Sequence, residues 1–251
     1  MENIAEKNKT AWEYDAYDFW VRTAGTPAER ARKDRENPRA MLREYAGYFD
    51  RVEGLAIANI CGSCGKKAVP LALMGACVTV FDISEANRRY ACETAEAAKT
   101  HIEYVLGDVL DIDLSRYGGV FDIVFMEGGI LHYFEDLGAF MDKMAGLLKP
   151  GGRMICSDFH PLQKMIDVLW HRMEPMDYFS DETVEAEMPH ASFYPEEERR
   201  RFPKCRIRRH TLSEILNAAI GSGLVIRQFD EHPAWTDKTV PGLFTLLADK
   251  T

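Results

Sequence analysis

Residues 55–84, LAIANICGSCGKKAVPLALMGACVTVFDIS, limit the folds open to this chain more than any other stretch. The apolar run 55–60 predicts a short strand, and Cys61, Gly62, Ser63, Cys64 and Gly65 predict a turn of small residues. A helix is expected from that turn to about Met74, then a second strand over 77–81 that ends on Asp82. Strand, small-residue turn, helix, strand and terminal carboxylate form a nucleotide-binding βαβ unit. Small residues let the backbone approach a ligand, and a helix start offers free N–H groups. An acidic residue roughly twenty positions on accepts hydrogen bonds from ribose hydroxyls.

The remainder of the chain continues this alternation. Ser84-Glu85-Ala86-Asn87 caps a helix to about Lys99, and strands are expected at 102–106, 121–126 and 153–158. A helix from about Asp136 to Leu148 is stopped by Lys149-Pro150-Gly151-Gly152. Thr211-Leu212-Ser213-Glu214 reads as a capping box, and the last two strands fall at 224–229 and 243–248. The expected fold is α/β: a Rossmann-like, seven-stranded, mostly parallel sheet with helices on both faces.

Two stretches fall outside that rhythm. Residues 1–50 read as amphipathic helices, with start signals at Thr26-Pro27-Ala28-Glu29 and Asn37-Pro38. They are expected to form an N-terminal helical lid on a single domain over 51–251, with Trp12, Tyr17 and Trp20 as walls. Residues 160–209, rich in aromatics and proline, are too long for a plain connection. They predict a substrate-cap insertion with a short helix and two strands, where Trp170, His171, Pro175 and Tyr178 lie.

Composition excludes several functions. A net charge of −9 in 251 residues argues against general nucleic-acid binding, despite the local basic run from Arg199 to Arg209. No apolar run is long enough to span a membrane, and the polar opening MENIAEKNKT lacks a signal-peptide core. Six scattered cysteines suit a reducing compartment, so a cytoplasmic protein is expected. No metal is expected, because no second C-x-x-C or spaced His pair completes a ligand set. Cys61-x-x-Cys64 has a redox reading, for which small-residue tolerance in the turn is the simpler account.

The predicted strands end on Asn59, Asp82, Asp108, Glu127 and Asp158, at the edge where such folds bind ligands. Four carboxylates suit a cationic ligand better than a pyrophosphate. Neither G-x-G-x-x-G nor a Walker A frame is present. The chain resembles the class I S-adenosylmethionine-dependent methyltransferases from about Leu55 onward. The matching pieces are the turn, Val78 to Ser84, Gly107-Asp108-Val109, Phe121-Asp122-Ile123-Val124 and Leu147 to Gly152. Glu127 to Phe134 and Ser157 to Pro161 are similar to a bacterial small-molecule branch of that family.

The resemblance implies S-adenosylmethionine as cofactor. It implies that Cys61, Gly62, Ser63 and Gly65 wrap the methionine part, with Asn59 where the family usually has an acid. It places Asp82 on the ribose diol, Ile83 against the adenine, Asp108 on its amino group and Val109 on the ring. Glu127 and Gly128 would line the methionine end. Where the family alternates three glycines this chain has Cys61, Ser63 and Gly65, so a positive φ would strain the first two. The expected activity is methyl transfer to a small-molecule nucleophile, with His132, Asp158 or His160 as base and Tyr133 and Tyr178 as pocket walls. The alternatives are a non-catalytic sensor of the cofactor and an enzyme that transfers an aminopropyl group. Oligomeric state does not follow from the sequence.

Overall fold

A computed structural model describes residues 4–163, 165, 177–235 and 237–251; Trp170, His171 and Pro175 lie outside the described residues. The sheet strands are β1 (Ala56–Ile60), β2 (Cys77–Asp82), β3 (Glu103–Leu106), β4 (Phe121–Glu127), β5 (Leu148–Phe159), β8 (Leu224–Pro233) and β9 (Pro241–Lys250). They form a seven-stranded sheet in the order β3-β2-β1-β4-β5-β9-β8. The pairs β1–β2, β2–β3 and β4–β5 are parallel, whereas β9 runs antiparallel to β5 and β8. β6 (Thr183–Ala186) and β7 (Cys205–Arg208), in the 160–209 stretch, make a separate two-stranded sheet.

The chain divides into two compact units, residues 1–112 with 185–206 and residues 113–184 with 207–251. In the first unit, α1 (Ile4–Glu13), α2 (Ala16–Ala24), α3 (Pro27–Glu36) and the short α4 (Pro38–Met41) precede β1. Both start signals hold: Thr26 and Glu29 make a reciprocal capping box, and Asn37 accepts from the Ala40 amide at 3.1 Å. α5 (Ala68–Leu73) and α6 (Glu85–Ala97) follow β1 and β2. Residue pattern expects one side of α6 to carry Ala86, Tyr90, Ala91, Thr94 and Ala98; all but the half-buried Ala86 are buried, and Ala95 is buried with them.

The second unit carries α7 (Leu114–Tyr117), α8 (Leu137–Leu147) and a helix at Leu212–Gly221 with the predicted Thr211–Glu214 capping box. β5 begins at Leu148 rather than Arg153, because Leu148 is already extended and pairs with Phe121. The apolar β9 lies between two strands and is buried along seven consecutive residues, while half-polar β8 is an edge strand. Phe121, Phe125, Phe140 and Phe244 are fully buried, each stabilising by about 1.5–3 kcal/mol. No helix among the described residues is long and apolar enough to cross a membrane.

Candidate cofactor site

In the first unit the turn after β1 carries the residues the sequence singles out. Cys61, Ser63 and Gly65 have φ of 47°, 48° and 75°, so all three are in the left-handed region. This alternation forbids a helix, and α5 starts at Ala68 instead of at the turn. Gly62 is not left-handed; it is needed for space. A Cβ there would meet Asn59 Oδ1 at 2.5 Å and Val80 Cγ1 at 2.9 Å, both on buried side chains. Gly65 meets both demands, since its Cβ would also stand 2.9 Å from that of Ala91 on α6.

Asp82 is buried at the end of β2 and holds this turn. One carboxylate oxygen accepts from the Ser63 amide and the other from the Ser84 amide, both at 2.9 Å. Burial raises its pKa, while the two amides, Asn87 and Tyr104 pull it back down. The Tyr104 hydroxyl donates to the Ser63 carbonyl at 2.9 Å, so β3 holds the peptide that follows Ser63 while Asp82 holds the one before it. Tyr104 and Asn87 escape sequence reasoning, because neither residue type signals a role at its position. Ile83 is half-buried, Val109 is buried, and Asp108 accepts from the Leu110 amide at 2.9 Å.

Trp12, Tyr17 and Trp20 are each half-buried and partnered. Trp12 lies against His190, with ring centroids 6.0 Å apart. The Tyr17 hydroxyl donates to Glu93, and the Arg89 guanidinium lies 4.2 Å from its ring centroid. Trp20 Nε1 donates to Asn87 Oδ1 at 2.7 Å, while Lys66 Nζ sits 4.1 Å from its ring. Tyr17 and Trp20 are thus docked on α6. Cys61 and Cys64 are free thiols, and burial pushes the Cys64 thiol up to about 11, opposite to an activated thiolate.

In the second unit β4 ends on half-buried Glu127, and Gly128 and Gly129 follow with φ of 89° and 86°. The buried Asp158 organises the chain beyond them. Its carboxylate accepts from the amides of Ile130 at 2.7 Å, Leu131 at 2.8 Å and Phe159 at 2.6 Å. The His160 ring is buried, with Nδ1 accepting from the Leu162 amide at 3.2 Å and Nε2 lying 3.0 Å from Glu231 Oε1. Burial lowers its pKa, against the pull of Glu231, so the neutral ring has its acceptor nitrogen occupied. His132 is half-exposed, 4.2 Å from Tyr133 and 6.4 Å from Phe159 between ring centroids. The Tyr178 hydroxyl accepts from the Leu212 amide at 2.9 Å, which makes it a helix-end contact.

Burial pushes the Asp158 carboxyl up to about 6, against the three amide bonds that favour its charge. Between about 3.9 and 6 the folded chain therefore holds a proton that the unfolded chain has lost. Stability from this group is complete below about pH 4 and is lost as pH rises through about 6, by up to about 3 kcal/mol. In urea unfolding the wild type is expected to gain on Asp158→Asn when pH falls from about 7 to about 4.5. A constant difference between the two proteins would refute that titration.

Residues 60–156 match the family model of a methyltransferase domain. With the strand order and the turn, this makes that stretch a methyltransferase domain. Among similar proteins, the ubiquinone biosynthesis O-methyltransferase of Caulobacter vibrioides is 34% identical over 137 residues, covering 51% of this chain and 53% of that one. That of Nitrobacter winogradskyi is 35% identical over 105 residues, covering 41% and 38%. The chain thus spans about half or less of the length of these relatives.

The fold is shared with solved structures of low identity. Magnesium protoporphyrin IX methyltransferase from Synechocystis, solved with bound S-adenosylhomocysteine, has a TM-score of 0.62 at 17% identity, covering 99% of this chain and 100% of that one. An S-adenosylmethionine-dependent methyltransferase from Mesorhizobium loti has a TM-score of 0.58 at 21% identity, covering 81% and 94%.

Proposed function

We propose that the chain transfers a methyl group from S-adenosylmethionine to a small-molecule nucleophile, with an oxygen atom as the first acceptor to test. The carrying observation is the β1 turn, with left-handed residues at 61, 63 and 65 and an amide bonded to the Asp82 carboxylate. A left-handed alternation that Cys61 and Ser63 adopt without being glycine supports a demand on the backbone path itself. The choice of oxygen rests on the relatives named as ubiquinone biosynthesis O-methyltransferases.

The residues fit the cofactor chemically. A carboxylate at the end of β2 suits a ribose diol, and the acidic Asp108 suits the adenine amino group, with Ile83 and Val109 as its apolar neighbours. The turn backbone from Asn59 to Gly65 is assigned the methionine part. When bound, S-adenosylmethionine supplies an electrophilic methyl group whose transfer leaves a neutral thioether. The protein's task is then alignment in a site poor in water.

A base is required where the acceptor arrives protonated. Asp158 and His160 are buried while the His132 ring is half-exposed, so His132 is the proposed base. It sits just past β4 with a half-exposed ring. His132→Ala is expected to lower turnover of a phenol about 100-fold or more while S-adenosylhomocysteine affinity is kept. Transfer of labelled methyl from the cofactor into a panel of phenols, amines, thiols and carboxylates tests the activity. Tight binding of S-adenosylhomocysteine with no acceptor labelled would favour a sensor instead.

A further inference from the structure

Four aromatic rings gather in the second unit around His132. The His132 and Phe159 centroids are 6.4 Å apart with an interplanar angle of 20°, and Trp235 stands perpendicular to Phe159 at 6.4 Å. Tyr133 lies 4.2 Å from His132. Residues 154–158 of β5 are buried, yet Phe159 is 37% exposed and Trp235 67%. The backbone under these rings is tied down. The Asp158 carboxylate accepts from the amides of Phe159, Ile130 and Leu131, so it joins the end of β5 to the loop that carries His132. A Cβ on Gly129 would stand 2.3 Å from the Phe159 ring, so glycine there lets the ring lie over that loop. Gly242 ties the other side: its carbonyl accepts from the His160 amide at 2.9 Å, and a Cβ on it would meet Ala234 Cα at 2.4 Å. Phe159 and Trp235 are thereby held side by side. Exposed apolar groups gathered in one place mark a binding surface, and small-molecule sites combine aromatic walls with a few polar groups.

We infer that Phe159 and Trp235 select the acceptor, and that the oxygen to be methylated is carried on an aromatic ring that stacks on Phe159. This rests on the function proposed above, with His132 as its base. A ring stacked on Phe159 lies nearly parallel to the His132 imidazole and perpendicular to Trp235, which it meets as an edge-to-face pair. The O–H bond of a phenol and the acceptor lone pair of an imidazole both lie in their ring planes, and hydrogen bonds favour alignment with the lone pair. An acceptor lying flat on Phe159 therefore offers its proton in an orientation that His132 can take. A saturated alcohol of the same size has no flat face to stack and no fixed O–H plane.

Ligand-observed NMR titrations of the full chain, saturated with S-adenosylhomocysteine, test this with two probes. One is catechol; the other is cis-cyclohexane-1,2-diol, which carries the same two hydroxyls on a saturated ring. The wild type is expected to bind catechol at least 10-fold more tightly than the saturated diol. Phe159→Leu keeps an apolar side chain and removes the stacking face, so the preference is expected to fall to about 3-fold or less. Trp235→Leu is expected to lower it in the same direction, and Phe159→Tyr, which keeps the face, to retain it. S-adenosylhomocysteine affinity is expected to be unchanged in all three variants, which separates lost selection from a damaged fold. Equal binding of the two probes by the wild type, binding of neither, or a preference that survives in both leucine variants overturns the inference and leaves methyl transfer standing. If S-adenosylhomocysteine itself does not bind, the cofactor assignment fails and takes this inference with it.

Discussion

Asp82→Asn is expected to weaken S-adenosylhomocysteine binding about 10- to 100-fold and to cost about 1–3 kcal/mol of stability. Two separate losses produce this. Hydrogen bonds to a charged acceptor contribute about 1.5–3 kcal/mol each, and the ribose hydroxyls would now meet a neutral group. Asparagine also has one oxygen where Asp82 uses two, so either the Ser63 or the Ser84 amide faces an NH2 group. Calorimetry gives the first loss and urea unfolding the second. Unchanged affinity would remove Asp82 from the cofactor site, whatever happened to stability.

Gly65→Ala and Ser63→Gly are expected to change stability in opposite directions. Alanine at 65 is strained at φ 75° and places its Cβ 2.9 Å from the Ala91 Cβ on α6. Left-handed backbone costs about 1–2 kcal/mol and overpacking about 1–3, for a combined loss of about 2–5 kcal/mol. Ser63 already bears the backbone cost at φ 48°, and glycine would remove it. The greater freedom of glycine in the unfolded chain offsets part of that, leaving a gain of about 0.5–1 kcal/mol. Thermal unfolding of the two variants checks both signs. A stabilised Gly65→Ala would mean that the turn is not built as described.

Much of the fold was legible because its signals are local. The capping boxes at Thr26 and Thr211, the Asn37 and Ser84 caps and the buried side of α6 all appear where residue pattern places them. Even the contrast between β8 and β9 was readable, because only the interior strand needs apolar residues on both faces. The start of α5 was harder to read, since Lys66 and Lys67 are helix-compatible in type while the helix begins only at Ala68, after the left-handed turn.

The partners of the site were harder to read than its position. The spacing of Asp82 from the turn marks a ribose acceptor, but nothing in it says that the same carboxylate ties down Ser63. Tyr104 reaches the turn from β3, and Trp20 meets Asn87 on α6, and a single sequence carries no record of such contacts. Asp158 and His160 were attractive as bases because they end a strand. Their polar atoms turn out to serve backbone amides and Glu231, which is a question of geometry alone.

The central claim is that the β1 turn and Asp82 form an S-adenosylmethionine site. Calorimetric titration of the full chain with S-adenosylhomocysteine, using a nicotinamide dinucleotide as control, tests it most directly. Saturable one-to-one binding of S-adenosylhomocysteine is expected, weakened in Asp82→Asn, with no binding of the dinucleotide. No heat with S-adenosylhomocysteine, or competition by the dinucleotide for the same site, would contradict it.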